Sequence, residues 1–326
     1  MKNKVVIFSI SADLHADRVI ACLPECVEAL RLNLDDPSTW SLSYLNGDVR
    51  ISTNTETIGL DEIVSVFLRR TPNFDAFKRT VAPQHLEYSD FIANQKFSLF
   101  SDCLAVLDFS KPFVNSLATA NKAGKAVQAK AAAAVGLATP ATYMGANAGD
   151  ASRFVRNVFG KGERVCSKAI ANTKVHINGQ QHTRFTEIHD PATLVESLGS
   201  LESCPIIFQE YASKAYEIRA TVIGDRIFAS RIDSQNAGGG TAVDWRRYDI
   251  PKTPHSKYEL PNEVRDRILA LQRRLGLIYS SFDLVRTPDG QYIFLETNPF
   301  GQWLWIEDLT GLPISKAIAD LLASPP

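Results

Sequence analysis

The chain lacks any long hydrophobic run, any excess of charge of one sign and any cysteine cluster. Its 326 residues include 35 lysines and arginines against 36 aspartates and glutamates, so bulk charge indicates neither nucleic acid nor an anionic membrane as a partner. The longest uncharged stretch of helical character, around KAAAAVGLATPATYMGA, is interrupted by Gly136 and Pro140, which argues against a membrane span. The apolar run in MKNKVVIFSISADLH is too short for a secretory signal, and we therefore expect a cytoplasmic protein.

The cysteines are scattered and include no C-x-x-C pair; they are Cys22, Cys26, Cys103, Cys166 and Cys204. Although Cys22 and Cys26 would share a helix face, tetrahedral zinc needs two further ligands, and no nearby cluster supplies them. We expect reduced, packed thiols. The six histidines are scattered as well, and no Ser/His/Asp or Cys/His set is present, so we assign no histidine a catalytic role.

The first third of the chain carries α/β patterns. KVVIFSI is a short apolar run, and the apolar residues of SADLHADRVIACLPECVEAL recur at helical spacing, which predicts a strand followed by a helix. No G-x-G-x-x-G follows, so we expect no dinucleotide site there. Asn46 and Gly47 predict a tight hairpin turn, and IVSVFLRRTP predicts a strand that ends in two arginines. We predict an N-terminal α/β domain over residues 1–117.

The rest of the chain carries α+β patterns and predicts two further domains. LATANKAGKAVQAKAAAAVGLATPATYM predicts one helix that ends at Gly136. RVCSKAI and KVHINGQQHTRFTEI predict strands, the latter turned at Asn178-Gly179, and a helix in DPATLVESLGSL completes a small central domain over residues 118–205. Three strands in PIIFQEYASKAYEIRATVIGDRIFASRID, the helix PNEVRDRILALQRRLGL and a hairpin in SFDLVRTPDGQYIFLETNP predict a C-terminal antiparallel sheet with helices over residues 206–326.

The end of the last predicted strand carries candidate metal ligands. Glu296 and Asn298 are two positions apart, so in a strand both side chains point the same way, and Pro299 ends the strand just beyond them. Glu296 can bridge two magnesium ions, Asn298 adds a neutral oxygen, and Asp283 on the partner strand offers a third ligand if the register allows it. The alternative is an amphipathic edge hairpin with acids that face solvent.

Two lysines have the setting of phosphate ligands. Lys122 is placed by the pattern at the start of a helix, where amide donors and the helix dipole favour an anion. Lys168 lies inside the strand RVCSKAI between apolar neighbours. The alternatives are a solvated helix residue for Lys122 and an edge-strand lysine that suppresses aggregation for Lys168.

The segment Gln209-Glu210-Tyr211 ends a strand beside a short linker, where backbone groups can face an adenine edge. On the next strand Glu217 can accept ribose hydroxyls, and Arg219, on the same face, can reach phosphate. The alternative for Glu217 and Arg219 is cross-strand ion pairing, which contributes little.

A glycine-rich loop follows, in NAGGGTAVDWRRYD. The three glycines at 238–240 suggest a mobile lid rather than a rigid phosphate cradle, because no G-K-[ST] follows them. Arg246 is the arginine that we expect to face inward. The alternative is a disordered surface loop with solvated arginines.

Several of these features follow one another along residues 113–326: NK at a helix start, a strand lysine, QEY, EIR, an arginine-bearing loop, FDLV and ETNP. Their order resembles that of the ATP-grasp ligases. A narrower likeness lies in VFLRRTP, FVNSLATANK, DWRRYD and above all ETNPFGQWLWIEDLTGLPI. These strings resemble the microviridin-type graspetide synthetases, which are ATP-grasp ribosomal peptide maturases. RVCSKAI departs from that family, since a serine stands where an apolar residue is usual. The resemblance implies an ATP-grasp fold preceded by an N-terminal α/β domain.

The resemblance also implies a set of roles. ATP would lie between the central and C-terminal domains, with adenine on the backbone of Glu210 and Ala212 and two magnesium ions on Asp283, Glu296 and Asn298. The remaining roles it implies are phosphate binding by Lys122 and Lys168, ribose binding by Glu217, and charge neutralisation around an acyl-phosphate by Arg219 and Arg246.

The implied substrate is a ribosomal precursor peptide whose Asp or Glu side chains are closed onto Ser, Thr or Lys side chains as ω-esters or ω-amides. Its leader would dock on the hairpin within KVHINGQQHTRFTEI and on the helix of DPATLVESLGSL, where Asp190 and Glu196 can pair with a leader arginine. A homodimer is implied as well. The alternatives are an ATP-grasp ligase that joins an amino acid to a small molecule or a protein terminus, and a regulatory ATP-binding protein without turnover.

Overall fold

The N-terminal residues form a parallel sheet of order β2-β1-β6-β7 in the computed structural model, which describes residues 3–171, 174–237, 243 and 253–325. Its strands are β1 (Asn3–Ser9), β2 (Val27–Asn33), β6 (Ile63–Leu68) and β7 (Phe113–Val114). Strand β1 is an almost unbroken apolar run because both of its faces are covered, as parallel sheets require. The predicted strands β1 and β6 are confirmed. The predicted helix is shorter than expected: it spans Leu14–Ala21, and VEAL at the end of the same stretch lies in β2, so Cys22 and Cys26 do not share a helix face.

Further elements flank this sheet. The helices are α1 (Leu14–Ala21), α2 (Phe74–Arg79) and α3 (Ser89–Ser110), and the small antiparallel sheet contains β3 (Trp40–Leu45), β4 (Asp48–Thr53) and β5 (Thr57–Ile58). The predicted hairpin turn is confirmed, since Asn46 and Gly47 both have positive φ. The cysteines are thiols, as predicted, but Cys26 and Cys204 are exposed rather than packed.

The central segment contains an antiparallel sheet of order β12-β9-β13-β8. Its strands are β8 (Thr142–Gly145), β9 (Val165–Lys168), β12 (Glu187–His189) and β13 (Ile206–Glu210), its helices are α6 (Ala148–Gly160) and α7 (Pro191–Ser197), and a separate hairpin joins β10 (Lys174–Ile177) to β11 (Gln180–Thr183). The turn of this hairpin has positive φ at Asn178 and Gly179, as predicted. Strand β13, which we expected in the C-terminal sheet, pairs instead with β8 and β9 of this central sheet. The domain boundaries at 117 and 205 stay predictions.

One helix prediction is wrong in its detail. The stretch expected to be a single helix is divided into α4 (Leu117–Lys122) and α5 (Lys125–Ala134), because the chain turns at Ala123 and Gly124 takes the extended N-cap conformation of α5. Lys122 is therefore the last residue of a short helix, and Lys125 is the first residue of the longer one. The predicted end is confirmed, since Gly136 has a φ of +79° just beyond α5.

The C-terminal segment contains an antiparallel sheet of order β16-β15-β14-β17-β18. Its strands are β14 (Tyr216–Ile223), β15 (Arg226–Ile232), β16 (His255–Tyr258), β17 (Tyr279–Arg286) and β18 (Tyr292–Asn298), and its helices are α8 (Asn262–Arg274), α9 (Leu304–Thr310) and α10 (Ile314–Ala323). One face packs on α8, as the amphipathic pattern predicts. Near the other face, α9 and α10 share one apolar cluster with Val5, Ile7 and Phe67 of the N-terminal sheet, so the first and last parts of the chain have a common core.

Within the described residues, no helix has both the length and the apolar character that crossing a bilayer requires. The cytoplasmic localisation expected from the sequence stays a prediction.

Candidate active site

A cleft of about 780 Å³, its open mouth included, lies between the central and C-terminal sheets. The predicted site residues that line it are Lys168, Gln209, Glu210, Tyr211, Ala212, Glu217, Asp283 and Glu296. Residues from five strands and one linker therefore converge as the sequence led us to expect, although the role of each residue stays a prediction.

The two acidic residues predicted to hold a metal face each other across neighbouring strands. Asp283 of β17 is the direct partner of Glu296 on β18, beside an irregularity in the register, so both carboxylates open on the same face of the sheet. Lys125 Nζ lies 3.0 Å from Glu296 Oε2, and Arg219 Nη1 lies 2.8 Å from each oxygen of Asp283. Each carboxylate is thus matched by a cation.

Asn298 occupies the exposed end of β18. It lies outside the residues that line the cleft, and its Oδ1 accepts a hydrogen bond from the backbone N–H of Phe300 at 2.9 Å. Among the described residues no group of three or more His, Cys, Asp or Glu side chains is placed to hold a metal ion. Two opposed carboxylates and one amide oxygen nevertheless fit magnesium, because magnesium binds few protein oxygens and takes the remaining ligands from phosphate and water.

Lys168 is oriented by a neighbour in the sheet. Its Nζ donates to Gln209 Oε1 at 2.7 Å, and Gln209 Nε2 in turn donates to Thr142 Oγ1 at 2.9 Å. The alternative of an aggregation-suppressing edge lysine is wrong, because β9 lies inside the sheet between β12 and β13. Lys168 is half-buried at the mouth of the cleft, where its charge faces any bound anion.

Glu217 is buried and has a different partner from the one that the sequence suggested. Its Oε1 accepts hydrogen bonds from Lys214 Nζ at 2.8 Å and from Ser234 Oγ at 2.9 Å. Burial raises the pKa of the Glu217 carboxyl, and the Lys214 ammonium opposes that rise. Cross-strand ion pairing does occur on this sheet, but it joins Arg219 to Asp283.

The backbone around Tyr211 is firmly placed. The N–H of Glu210 donates to Ala141 O at 2.9 Å, and the N–H of Tyr211 donates to Arg164 O at 2.8 Å. The Arg164 guanidinium lies 4.4 Å from the centre of the Tyr211 ring. Since these two amides are engaged within the protein, an adenine edge would meet the carbonyl of Glu210 and the amide of Ala212, the pair that the resemblance suggested.

Three cations of the cleft were missed by sequence reasoning, and one predicted lysine lies elsewhere. Lys125, Arg184 and Lys214 line the cleft, whereas Lys122 does not. The glycine before Lys125 was a usable signal, because Gly124 marks the helix start at which an anion is favoured. We find no sequence signal for Arg184 or Lys214. Arg246 and the glycines at 238–240 lie outside the described residues.

No protein-family model matches the chain, and no curated protein matches its sequence. Solved structures do match it. The RiPP-associated ATP-grasp ligase of Chryseobacterium gregarium, in complex with ADP and a leader and core peptide, has a TM-score of 0.86 and 26% identity, over 99% of this chain and 97% of that chain. The macrocyclase MdnC of Microcystis aeruginosa MRC, bound with precursor peptide MdnA, has a TM-score of 0.80 and 26% identity, over 98% of this chain and 99% of that one.

A more distant match has the same fold. The ATP-grasp ligase PsnB, complexed with minimal precursor, Mg and ADP, has a TM-score of 0.76 and 21% identity, over 99% of this chain and 98% of that one. The likeness therefore extends over almost the whole length of the chain, the N-terminal sheet included.

Proposed function

We propose that this chain, an ATP-grasp ligase with the fold of the graspetide synthetases, joins Asp or Glu side chains of a ribosomal precursor peptide to Ser, Thr or Lys side chains of the same peptide. The products are ω-ester or ω-amide rings. The observation that carries the proposal is the cleft, which is lined by two opposed carboxylates (Asp283 and Glu296) and two lysines (Lys125 and Lys168). Arg219 lies outside the lining but is paired with Asp283. The match to ligases solved with ADP and precursor peptide supports the proposal.

The reaction has two steps. In the first, a carboxylate oxygen of the peptide attacks the γ-phosphorus of ATP, ADP leaves, and an acyl-phosphate forms. In the second, a hydroxyl or amine of the peptide attacks the acyl carbon, phosphate leaves, and the proton of the nucleophile is taken up by the phosphate. Each ring thus consumes one ATP and removes the atoms of one water from the peptide. No covalent enzyme nucleophile is needed, since phosphoryl transfer asks a protein for positioning and charge neutralisation.

Lys125 and Lys168 bind the phosphates in this proposal. Lys125 takes the role that the resemblance gave to Lys122, because it begins α5, whose N-terminal amides favour an anion. Asp283, Glu296 and Asn298 hold magnesium, which neutralises phosphate charge when it is bound.

Glu217 and Arg219 act at the two ends of the nucleotide. Glu217 is held by Lys214 and Ser234 through one oxygen, so its second oxygen takes the ribose hydroxyls. Arg219 neutralises charge on the transferred phosphoryl group, with Arg246 proposed as its partner from the sequence alone. Arg219 suits this role because it is buried and a guanidinium stays charged when it is buried.

The deciding experiment is to incubate the protein with ATP, magnesium and a short precursor encoded beside its gene, and to weigh the peptide. Loss of one water mass per ring, with stoichiometric ADP, is the expected result. Added amino-acid masses would favour the ligase that extends a small molecule or a protein terminus. ATP binding without any ADP release would favour a regulatory protein.

We place the leader peptide on the β10–β11 hairpin and α7. The two hairpin strands pair with each other and belong to no larger sheet among the described strands, so their outer edges offer backbone groups to an added strand. Asp190 caps α7 by accepting hydrogen bonds from the N–H groups of Ala192 and Thr193. Exposed Glu196 therefore has the more available carboxylate for a leader arginine.

Deletion of residues 177–182 is expected to weaken precursor binding at least about tenfold, because it removes the turn and most of one strand of the docking surface. ADP affinity should stay within about threefold, since the hairpin contributes no residue of the cleft floor. Calorimetric titration with precursor and with ADP measures both. Unchanged precursor affinity in a variant that binds ADP normally would contradict this docking site.

We also propose a homodimer. The 3-10 turn before α3 and α3 itself expose large apolar side chains: Leu86, Tyr88, Phe91, Leu99 and Phe109. Phe91 and Phe109 are 66% and 94% exposed and lie about five helical turns apart on the same side of α3. We take this exposed side of α3 as the interface between the two copies. Light scattering should give twice the chain mass for the wild type and the monomer mass for Phe91→Asp/Phe109→Asp; a monomeric wild type would remove the proposal.

A further inference from the structure

The loop 299–302, which directly follows the metal-binding end of β18, is held by side chains from four distant elements. Each of its four successive carbonyls accepts a hydrogen bond: Pro299 O from Asn115 Nδ2 (3.0 Å), Phe300 O from Arg69 Nη1 (3.0 Å), Gly301 O from Tyr279 Oη (2.5 Å) and Gln302 O from Arg219 Nη2 (3.4 Å). A loop in which every carbonyl has its own side-chain donor has little freedom to shift.

Gly301 lets this loop lie directly on the sheet. A Cβ at this position would collide with Oγ and Cβ of Ser281 and would lie 3.1 Å from Arg219 Nη2. No side chain tolerates such an overlap, so the backbone approaches β17 as closely as glycine alone allows. The loop is therefore packed against the strand that carries Asp283.

Arg69 holds the loop from the side of the N-terminal sheet. It follows the end of β6 and is 1% exposed. Its guanidinium lies 5.0 Å from the centre of the Trp303 indole and 3.6 Å from Asp13 Oδ2, in addition to the hydrogen bond to Phe300 O. Asp13 is in turn bonded by Arg70 Nε at 2.7 Å and by Ser9 Oγ at 3.1 Å. Arg69 is thus fixed by a carboxylate, an aromatic face and a carbonyl.

The site at which Arg69 lies has a recognisable position in the fold. The carboxyl ends of β1 and β6 meet there, at the point where the strand order reverses, and open parallel sheets bind ligands in the crevice at such a point. In this chain the crevice holds the chain's own Trp303, which packs edge-on to His15 in the first turn of α1. The resemblance of FGQWLWIE to the graspetide synthetases did not say what these residues do. Their position in the structure gives them a physical role, because they dock the end of β18 into the N-terminal domain.

The charges of Arg69 and Arg219 act on the same buried group, the phenol of Tyr279. Burial raises the pKa of the Tyr279 phenol, and the charges of Arg69 and Arg219 both oppose that rise. Arg69 Nε and Nη2, together with Arg219 Nε, have no hydrogen-bond partner among the described residues. The loop carbonyls and the few contacts named above thus carry much of the stabilisation of both guanidinium groups.

We propose that Arg69 is a positioning residue of the ligase reaction. By anchoring Phe300 O to the N-terminal sheet, it keeps the loop where Gln302 O and Asp283 together orient Arg219 toward the transferred phosphoryl group. The reaction to which it contributes rests on the proposed function, whereas the anchoring of the loop does not. The N-terminal domain is then part of the catalytic apparatus, although it contributes no residue to the cleft lining.

Arg69→Lys tests this inference, because it retains the charge and removes the flat guanidinium that reaches Phe300 O while lying over Trp303. We expect kcat to fall about 10- to 100-fold, because the substitution removes a contact that orients a reactive group from behind. KM for ATP and the affinity for ADP should stay within about threefold of the wild-type values. Amide hydrogen exchange in residues 299–303 should accelerate about tenfold or more. Arg70→Lys is the matched control. Arg70 binds the same Asp13 but makes no hydrogen bond to the loop 299–302. This variant should leave both kcat and the exchange rates of the loop within about threefold of the wild type.

If the wild type forms no ring, the proposed function fails, and the exchange rates still decide whether Arg69 anchors the loop. If Arg69→Lys does not melt cooperatively, Trp303→Phe removes the indole that lies against the guanidinium, with the same expectations. Unchanged exchange in residues 299–303 would overturn the inference. A turnover number within threefold of an active wild type would do so as well.

Discussion

Glu296→Gln is expected to reduce turnover about 10³-fold or more while the protein stays folded, because a metal ligand contributes several kcal/mol to the transition state and each 1.4 kcal/mol is about tenfold. Glu296 is half-buried on an edge strand, and glutamine preserves its volume, so the fold has little reason to change. Removing the negative charge deprives Lys125 of its carboxylate partner, while its hydrogen bond to the uncharged Ala169 O at 3.4 Å stays, so its ammonium is more available to phosphate. Magnesium-free ADP should therefore bind at least as tightly as it does to the wild type.

Steady-state turnover across a magnesium titration, together with calorimetric ADP binding with and without magnesium, measures these effects. Glu263→Gln, on the exposed face of α8, is the matched charge control and should behave as the wild type. Normal activity of Glu296→Gln at limiting magnesium would remove Glu296 from the metal site. Loss of magnesium-free ADP binding would instead point to a damaged fold.

Lys214→Met is expected to destabilise the protein by about 3–5 kcal/mol, because it leaves the buried Glu217 carboxylate without its cationic partner and with only the neutral Ser234 hydroxyl on that oxygen. Both side chains of this pair are nearly inaccessible, at 5% and 7% exposure, so water does not replace the lost ammonium. The pKa of Glu217 determines how the stability of this variant depends on pH. Burial already raises the folded-state pKa of Glu217, and loss of Lys214 raises this pKa further above the unfolded value of about 4.3. The free energy of unfolding therefore falls as pH increases from the unfolded pKa to the folded-state pKa. The variant should be more stable at pH 5 than at pH 7.5.

Denaturant unfolding at both pH values tests this expectation. Lys214→Met/Glu217→Gln is the matched control: it removes the uncompensated charge and should recover most of the loss and abolish the added pH dependence. Equal stability of Lys214→Met and the wild type at pH 7.5 would show that Glu217 finds another partner or is protonated in the native protein.

Much of the fold followed from local patterns. The turns at Asn46-Gly47 and Asn178-Gly179 were predicted because few residues tolerate positive φ, and both are confirmed. The strand pair that carries Asp283 and Glu296 was predicted from side-chain alternation, but its register was not, since a shift of one residue leaves the pattern nearly as plausible. The error at Lys122 has a similar origin. High helix propensity across LATANKAGKAVQAKAAAAVG hid the break at Gly124, which a single glycine does not make certain.

The sequence by itself determined the architecture and the type of chemistry, because strand alternation, turn residues and the order of the motifs are properties of short segments. Only the tertiary structure decided which cations meet the carboxylates, namely Lys125 at Glu296, Lys214 at Glu217 and Arg219 at Asp283. It alone joined Arg69 to Phe300, which are 231 positions apart. Such pairings depend on how completed sheets pack against each other, and no periodicity within a segment encodes that packing.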